Sequence, residues 1–256
     1  MLTRARALAL SSHPGPSVAV TVLSALLAAS LGYPIARILV IALAILLGQL
    51  SVGLSNDWID ARRDAAAGRS DKPVAQGLVP VAVVRRASLW TLVLALAVSI
   101  ALGPGAAVAH LGFIASGWAY NLGLKRTPLS VLPFIVGFGL LPDIVTLAGQ
   151  EGVPAAPWAL IVGAVFGVSI HFTNVLPDLA DDADTGVRGL PHRLGARVSG
   201  LVAFGALVVA SLVVLLGPVV ASPGTSVSGI SVVGLVVSLA IAAAGVRLVL
   251  TRPPDR

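Results

Sequence analysis

Residues 56–72 read Asn56-Asp57-Trp58-Ile59-Asp60-Ala61-Arg62-Arg63-Asp64-Ala65-Ala66-Ala67-Gly68-Arg69-Ser70-Asp71-Lys72, directly after a long apolar run. Asn56, Asp60, Asp64 and Gly68 recur every four residues, and Arg69 follows at once. The pattern returns 118 residues later as Asn174, Asp178, Asp182 and Gly186, with Arg188 two positions on. Side chains at i, i+4 and i+8 share one helix face. Each stretch therefore predicts a stripe of one amide and two carboxylates at the polar end of an apolar helix. Of eleven acidic residues, eight lie in or beside these two stretches, so scarce charge is concentrated there.

The rest of the chain says where such helices sit. It is 57% hydrophobic and 11% charged, with a mean hydropathy of +0.97; soluble domains carry roughly 25% charged residues. The composition predicts an integral membrane protein. The apolar runs are continuous rather than alternating, which favours helices over a barrel. Expected spans are 16–32, 36–56, 82–102, 105–121, 129–148, 157–177, 197–218 and 228–250, all within one transmembrane domain over 1–256. Turn residues mark the breaks: Gly32-Tyr33-Pro34, Gly103-Pro104-Gly105, 152–157 and Ser222-Pro223-Gly224. The first sixteen residues carry a short apolar patch without a signal-peptide pattern and read as an uncleaved cytoplasmic leader. No cysteine is present, which excludes disulfides and thiolate metal sites.

Eight spans place both termini on one side with the loops after spans two, four and six. Sixteen of the seventeen basic residues fall on that side and only Arg37 on the other. By the positive-inside rule that side is cytoplasmic, as in a multi-pass cell-membrane protein with its site facing the cytoplasm. Topology accounts for the net charge of +6 without a nucleic-acid partner.

If the two stripes face each other, they build a cage of hard oxygen ligands that suits Mg²⁺, which takes a few carboxylates and completes its shell with water and substrate phosphate. The neighbouring cations point to that phosphate. Arg69 and Lys72 follow the first stripe, Arg188 and Arg193 the second, and Lys125 and Arg126 lie in the loop between spans four and five. Arginine binds phosphate bidentately and lysine as a point charge.

The chain resembles the UbiA superfamily of intramembrane prenyltransferases. Residues 56–64 match its NDxxDxxxD signature, continued by residues 68–73 and Gly77. Residues 174–195 are similar to its second DxxxD motif and trailing segment. Ala119-Tyr120-Asn121-Leu122-Gly123-Leu124-Lys125-Arg126 resembles its central Tyr…Lys-Arg loop. The resemblance covers about residues 11 to 200. It implies an all-α polytopic helical bundle around a cavity opening at the cytoplasmic face, with membrane lipids around it. It also implies Mg²⁺-dependent loss of diphosphate from an isoprenoid diphosphate donor, the allylic cation passing to an aromatic, quinone-precursor or other lipid acceptor.

On that resemblance Asn56, Asp60, Asp64, Asp178 and Asp182 correspond to the metal–diphosphate residues. Arg69, Lys72, Lys125, Arg126 and Arg188 correspond to diphosphate-binding cations, and Tyr120 to a ring that stabilises the cation. The family usually has nine spans, where eight are read here. Many members carry a basic residue before the first span, where this chain has Ser12-His13-Pro14.

Other polar residues carry weaker signals. His171, one turn deeper than Asn174, is weighed evenly between acceptor chemistry and an interhelical hydrogen bond. Asn174 and Gln49 are further cavity candidates. His110 reads as structural. Asp143 is an intramembrane acid far from the diphosphate loops. Asp71, Asp181 and Asp184 read as solvated loop acids. Arg62, Arg63, Arg85 and Arg86 read as topology signals and lipid-headgroup contacts, and the four tryptophans as interfacial belts. A membrane terpene cyclase would use the same diphosphate machinery. An ion transporter would put its acids nearer mid-span, away from phosphate-type cations. The richness in Ala, Val, Leu and Gly suggests a high-GC bacterial source, and with it a bacterial plasma membrane.

Overall fold

The apolar runs become helices, and the glycine–proline breaks become the turns between them. The structure is a computed structural model that describes residues 3–179, 186–222 and 224–251. Among the described residues the α-helices are α1 (Arg4–Leu10), α2 (Pro14–Ser30), α3 (Ile35–Ala66), α4 (Val81–Ile100) and α5 (Pro104–Leu122). They continue with α6 (Leu132–Leu147), α7 (Pro157–Val175), α8 (Leu190–Ala221) and α9 (Gly229–Thr251). Two short 3₁₀ turns, Leu124–Arg126 and Leu176–Asp178, lie beside the sequence motifs.

Helices α2 to α9 coincide with the eight expected spans. Five apolar segments are long enough to cross a membrane: α3, α4, α7 with its following turn, α8 and α9. Helices α2 and α6 are apolar but only 17 and 16 residues long. The chain is thus an all-α, multi-pass membrane protein. It differs from expectation at α3, which runs beyond residue 56 to Ala66 and carries the whole first motif. Helix α8 also starts early, but it breaks at Gly195 (φ 77°, ψ 166°), just before the expected span start at residue 197. That left-handed φ suits glycine, which lacks a Cβ.

The chain folds as two compact units, Met1–Leu122 with Leu141–Pro154, and Gly123–Leu140 with Ala155–Arg256. In the first unit α3 is central and packs against α2, α4 and α5. Fully buried Ser51 links three of these helices: its carbonyl accepts from Ser88 Oγ at 2.9 Å and its hydroxyl from the Trp118 indole at 3.2 Å. Trp118 is therefore tied to a helix interface, where the sequence suggested an interfacial belt.

Arg37, the basic residue set apart from the other sixteen, also has a structural use. Its guanidinium donates to the carbonyls of Ala148 (2.6 Å), Ala101 (3.1 Å) and Leu102 (3.0 Å). These carbonyls follow the ends of α6 and α4, where helices leave acceptors unsatisfied and cations are favoured. The first helix is packed rather than loose. Ala7 is fully buried in a cluster with Leu54, Ala61, Val74, Val79 and Val84.

In the second unit α8 packs between α7 and α9. Gly163 and Gly167, one turn apart on α7, lie against the carbonyls of Phe138 and Phe134 so closely that any Cβ would collide with backbone. Small residues at this spacing let membrane helices approach where there is no hydrophobic drive between them. Phe138 stacks on Phe134 and meets Phe166 edge-on, filling the space around this contact. A Gly167→Ala change should therefore destabilise the second unit by about 1–3 kcal/mol. Gly205→Ala, whose methyl meets nothing within 4 Å, should not. Thermal unfolding of the two variants in detergent compares them directly.

Candidate functional site

Helix α3 keeps Asn56, Asp60 and Asp64 on one continuous face, as the four-residue spacing predicts. Asp60 and Asp64 are 1% and 5% exposed, so their charge needs compensation. Arg63 supplies it. One Nη donates to Asp60 Oδ2 and to Asp64 Oδ1, both at 3.1 Å, and Nε reaches Asp64 at 3.2 Å. The sequence reading gave Arg63 to lipid headgroups. Arg63 instead serves its own helix, because the helical turn sets its guanidinium across the two carboxylates, while Arg62 is exposed.

The glycine that ends the motif acts through the backbone. Gly68 adopts φ +66° and donates to Ala65, while Arg69 N–H bonds back to Asp64 O at 3.0 Å. This pair of bonds is the Schellman stop of a helix. It reverses the chain so that residues 69–72 return toward the α3 carboxylates. Arg69 is gripped there by Asp71 in two parallel bonds of 2.8 Å. Those bonds outweigh the opposing effect of partial burial and hold the Asp71 carboxyl at about 2. Asp71 is thus a solvated loop acid, as expected, that also holds Arg69.

Lys72 reaches α3 itself. Its ammonium lies 2.7 Å from Asp57 Oδ1, 3.1 Å from His13 Nε2 and 3.5 Å from Asn56 Oδ1. Asp57 is 2% exposed. It was not among the sequence-derived site residues, although it is the second letter of NDxxDxxxD. Its i+3 relation to Asp60 puts it off the i+4 stripe, so the spacing that picked out its neighbours passed over it.

Asn56 is set from the other side, donating to Asn121 Oδ1 at 3.0 Å. Buried Asn121 in turn donates to Val52 O (2.9 Å) and Ser55 Oγ (2.7 Å). Asn121 was also missed: it sits next to Tyr120, and the sequence reading chose the aromatic ring. Tyr120 is half-buried near the end of α5, and Gln49 is half-buried on α3. His110 is structural as expected. It is fully buried, bonded through Nδ1 to Ser99 Oγ at 2.6 Å, with Nε2 against Gly48. Asp143 is half-buried in α6 beside Pro142.

The second motif departs from a continuous helical stripe. Helix α7 ends at Val175 and the 3₁₀ turn Leu176–Asp178 follows. Pro177 has no N–H to carry the α-helical ladder onward. Asn174 is exposed at the end of α7, and Asp178 is partly exposed on the turn. Asp182 lies outside the described residues, as do Asp181 and Asp184.

His171 does not share the exposure of Asn174. It is fully buried, with its ring 4.8 Å from that of Phe134, and Nε2 meets Ser130 Oγ at 3.1 Å. Ser130 Oγ also accepts the Leu190 N–H at 2.9 Å. A Cβ on Gly189 would sit 2.7 Å from Lys125 O and 2.9 Å from Ser130 Oγ. His171 thus belongs to a clasp joining the Lys125–Arg126 turn to the start of α8, next to Arg188. Within that clasp Lys125 is buried, while Arg126 and Arg188 are exposed.

The donor chemistry around Asp60 and Asp64 fits a hard divalent cation. Both are buried carboxylates held in proximity by a positive charge that such an ion could replace. Among the described residues, no three acidic or histidine side chains form a ready-made metal cluster. Arg63→Ala should lower stability without divalent ions by roughly 2–4 kcal/mol, less than for a fully buried broken pair because Arg63 is 20% exposed. Mg²⁺ should restore much of that loss, seen as a larger EDTA-sensitive shift in unfolding temperature than for the unsubstituted chain. Ser130→Ala should cost about 1–3 kcal/mol by orphaning the Leu190 N–H, measured by the same unfolding assay.

Comparison with known proteins agrees with this architecture. The chain is 27% identical over 190 residues to the bacteriochlorophyll synthase 33 kDa chain of Cereibacter sphaeroides. That match takes in 67% of this chain and 60% of the relative, so it spans less than two thirds of the relative's length. A UbiA homolog from Archaeoglobus fulgidus has the same fold at 16% identity, covering 93% of this chain and 86% of that one. The TM-score is 0.75 for its complex with DMAPP and Mg²⁺ and 0.76 for its complex with GPP and Mg²⁺. The model of the UbiA prenyltransferase family matches residues 17–256. Taken with the helical fold and the NDxxDxxxD face of α3, this match means that the chain belongs to the UbiA prenyltransferase family.

Proposed function

We propose that this protein is a Mg²⁺-dependent prenyltransferase. It moves an isoprenyl group from an isoprenoid diphosphate to an aromatic or quinone-precursor acceptor and releases diphosphate. The observation that carries this reading is the C-terminal end of α3. There, buried Asp60 and Asp64 share a face with Asn56, and the Gly68 turn leads through Arg69 to Lys72, which reaches back to Asn56 and Asp57. Carboxylates for a metal and cations for phosphate oxygens come from one uninterrupted stretch of chain.

When bound, Mg²⁺ offsets the charge of the diphosphate and makes it a better leaving group. Asn56, Asp60 and Asp64, with Asp178 and Asp182 of the second motif, would hold that ion. Arg69, Lys72, Lys125, Arg126 and Arg188 bind the diphosphate and stabilise the charge it gains as the C–O electron pair departs with it. The Tyr120 ring would stabilise the allylic cation, and the apolar helices would keep water from it. An acceptor carbon takes up the cation and then loses a proton. Gln49 and Asn174 contribute to the acceptor side, while His171 acts through the clasp. The basic-residue distribution supports a site and termini facing the cytoplasm of a bacterial plasma membrane. The similarity to a chain named bacteriochlorophyll synthase adds a bacteriochlorophyll-type acceptor to the candidates.

The test is release of diphosphate by purified protein given DMAPP, GPP or longer allylic diphosphates, with Mg²⁺ or EDTA. Asp60→Ala and Asp178→Ala should each lower the rate by about 10²-fold or more. Full activity in either variant, or in EDTA, would overturn the reading. Product analysis separates transfer from cyclisation: a hydrocarbon or alcohol formed without acceptor would identify a cyclase instead.

A further inference from the structure

The unusual backbone of His13 points to a role for the N-terminal segment. Among the described residues it is the only non-glycine with φ in the left-handed region, at 53°. Non-glycine residues are uncommon there; histidine, with Asn and Asp, adopts that conformation more readily than most, and here the flanking contacts hold it. The enforcement is visible on both sides. Before His13, Ala7 of α1 is fully buried against α3 and the 74–84 segment. The backbone of Ser12 rests directly on α3 at Gly53, where any Cβ would strike the Ser12 carbonyl. After His13, Ser17 Oγ donates back to Ser12 O at 3.0 Å and fixes the turn into α2. The left-handed residue between these anchors carries an imidazole with Nε2 3.0 Å from Asp57 Oδ1 and 3.1 Å from Lys72 Nζ.

We infer that residues 4–13 form a strap whose function is to position Lys72, with His13 and Asp57 as positioning residues for the ammonium. This rests on the diphosphate-binding role given to Lys72 under the proposed function. A lysine side chain is a flexible four-carbon stem ending in three donors, and it loses much freedom when it binds an anion. Here Asp57 Oδ1 fixes one donor and the imidazole restrains the head from a second side. With Nε2 unprotonated, His13 accepts from Lys72 directly. With Nε2 protonated, it donates to Asp57 Oδ1 and acts on Lys72 through the shared carboxylate oxygen. Either way the strap sets where the ammonium points. The Asn56 oxygen 3.5 Å away links this position to the α3 stripe.

The chain has only two lysines, Lys72 and Lys125, so one serves as internal reference for the other. Reductive ¹³C-methylation of the full-length protein in detergent should give two resolvable lysine signals. In His13→Ala, Lys72 should react several-fold faster and its signal should narrow, while Lys125 is unchanged. His13→Asn, which keeps a donor and an acceptor on a short side chain, should recover part of the protection. Gly53→Ala leaves His13 intact but lifts the Ser12 backbone off α3, and it should reproduce the His13→Ala effect on Lys72. In the diphosphate-release assay with GPP and Mg²⁺, His13→Ala should raise KM by about tenfold with kcat within about twofold, as expected for loss of ground-state anchoring. If Lys72 reactivity and KM stay at their original values in both His13→Ala and Gly53→Ala, the inference is overturned. Absence of turnover in the unsubstituted protein with every allylic diphosphate would remove the prenyltransfer reading instead. The Lys72 signals would still decide whether the strap positions that side chain.

Discussion

Three carboxylates within eight residues of α3 are almost shut off from water, and buried charge persists only with compensating charge. Most of what distinguishes this end of the first unit follows from that need. Arg63 spans Asp60 and Asp64, Lys72 and His13 meet at Asp57, and the Gly68 turn exists to bring Lys72 within reach. Even the N-terminal helix is drawn in, because His13 reaches Asp57 only if the segment before it lies flat on α3. Asp71 extends the arrangement outward by gripping Arg69. A cluster of this kind stores negative charge in a ligand-ready form. Cations belonging to the chain compensate the carboxylates, and a more strongly charged ion can take their place.

The second unit solves a different problem. Its helices are apolar nearly all round, so nothing hydrophobic selects one packing over another inside a bilayer. Selection falls to shape. Gly163 and Gly167 admit the backbone of α6, Gly200 admits Val249, and Gly245 admits Phe204. With the helices set by these contacts, the clasp of His171, Ser130 and the Leu190 N–H ties the Lys125–Arg126 turn to the start of α8. Packing and polar work are thus divided. Small residues determine how close the helices come, and a few buried hydroxyl and imidazole groups determine where the charged turns are held.

Much of this was legible in the residues before any coordinates. Spans could be placed from apolar runs because a bilayer demands about twenty such residues per helix, and every expected span has its helix. The α3 stripe was legible because helical period and spacing agree. The second motif was less so: Pro177 breaks the ladder just where the four-residue spacing assumed continuity. Asp57 and Asn121 were passed over for a common reason. Each is adjacent in sequence to a residue chosen by spacing or by aromaticity, and only the neighbouring helices show which of two adjacent side chains turns inward. Arg63 was misread because a basic residue at a membrane helix end satisfies the topology rule whether it faces lipid or its own helix.

By itself the sequence determined the class of molecule, the helices, the family and the residue types available for metal and phosphate, since those depend on composition and local period. Only the tertiary structure decided which cation serves which carboxylate, that His171 belongs to a clasp, and that the N-terminal segment is fastened to α3. Those pairings join residues far apart in the chain, as Leu190 and Ser130 are by 60 positions. Such distances carry no local periodicity, and the choice among chemically equivalent partners is made by which backbones can come close enough to let them meet.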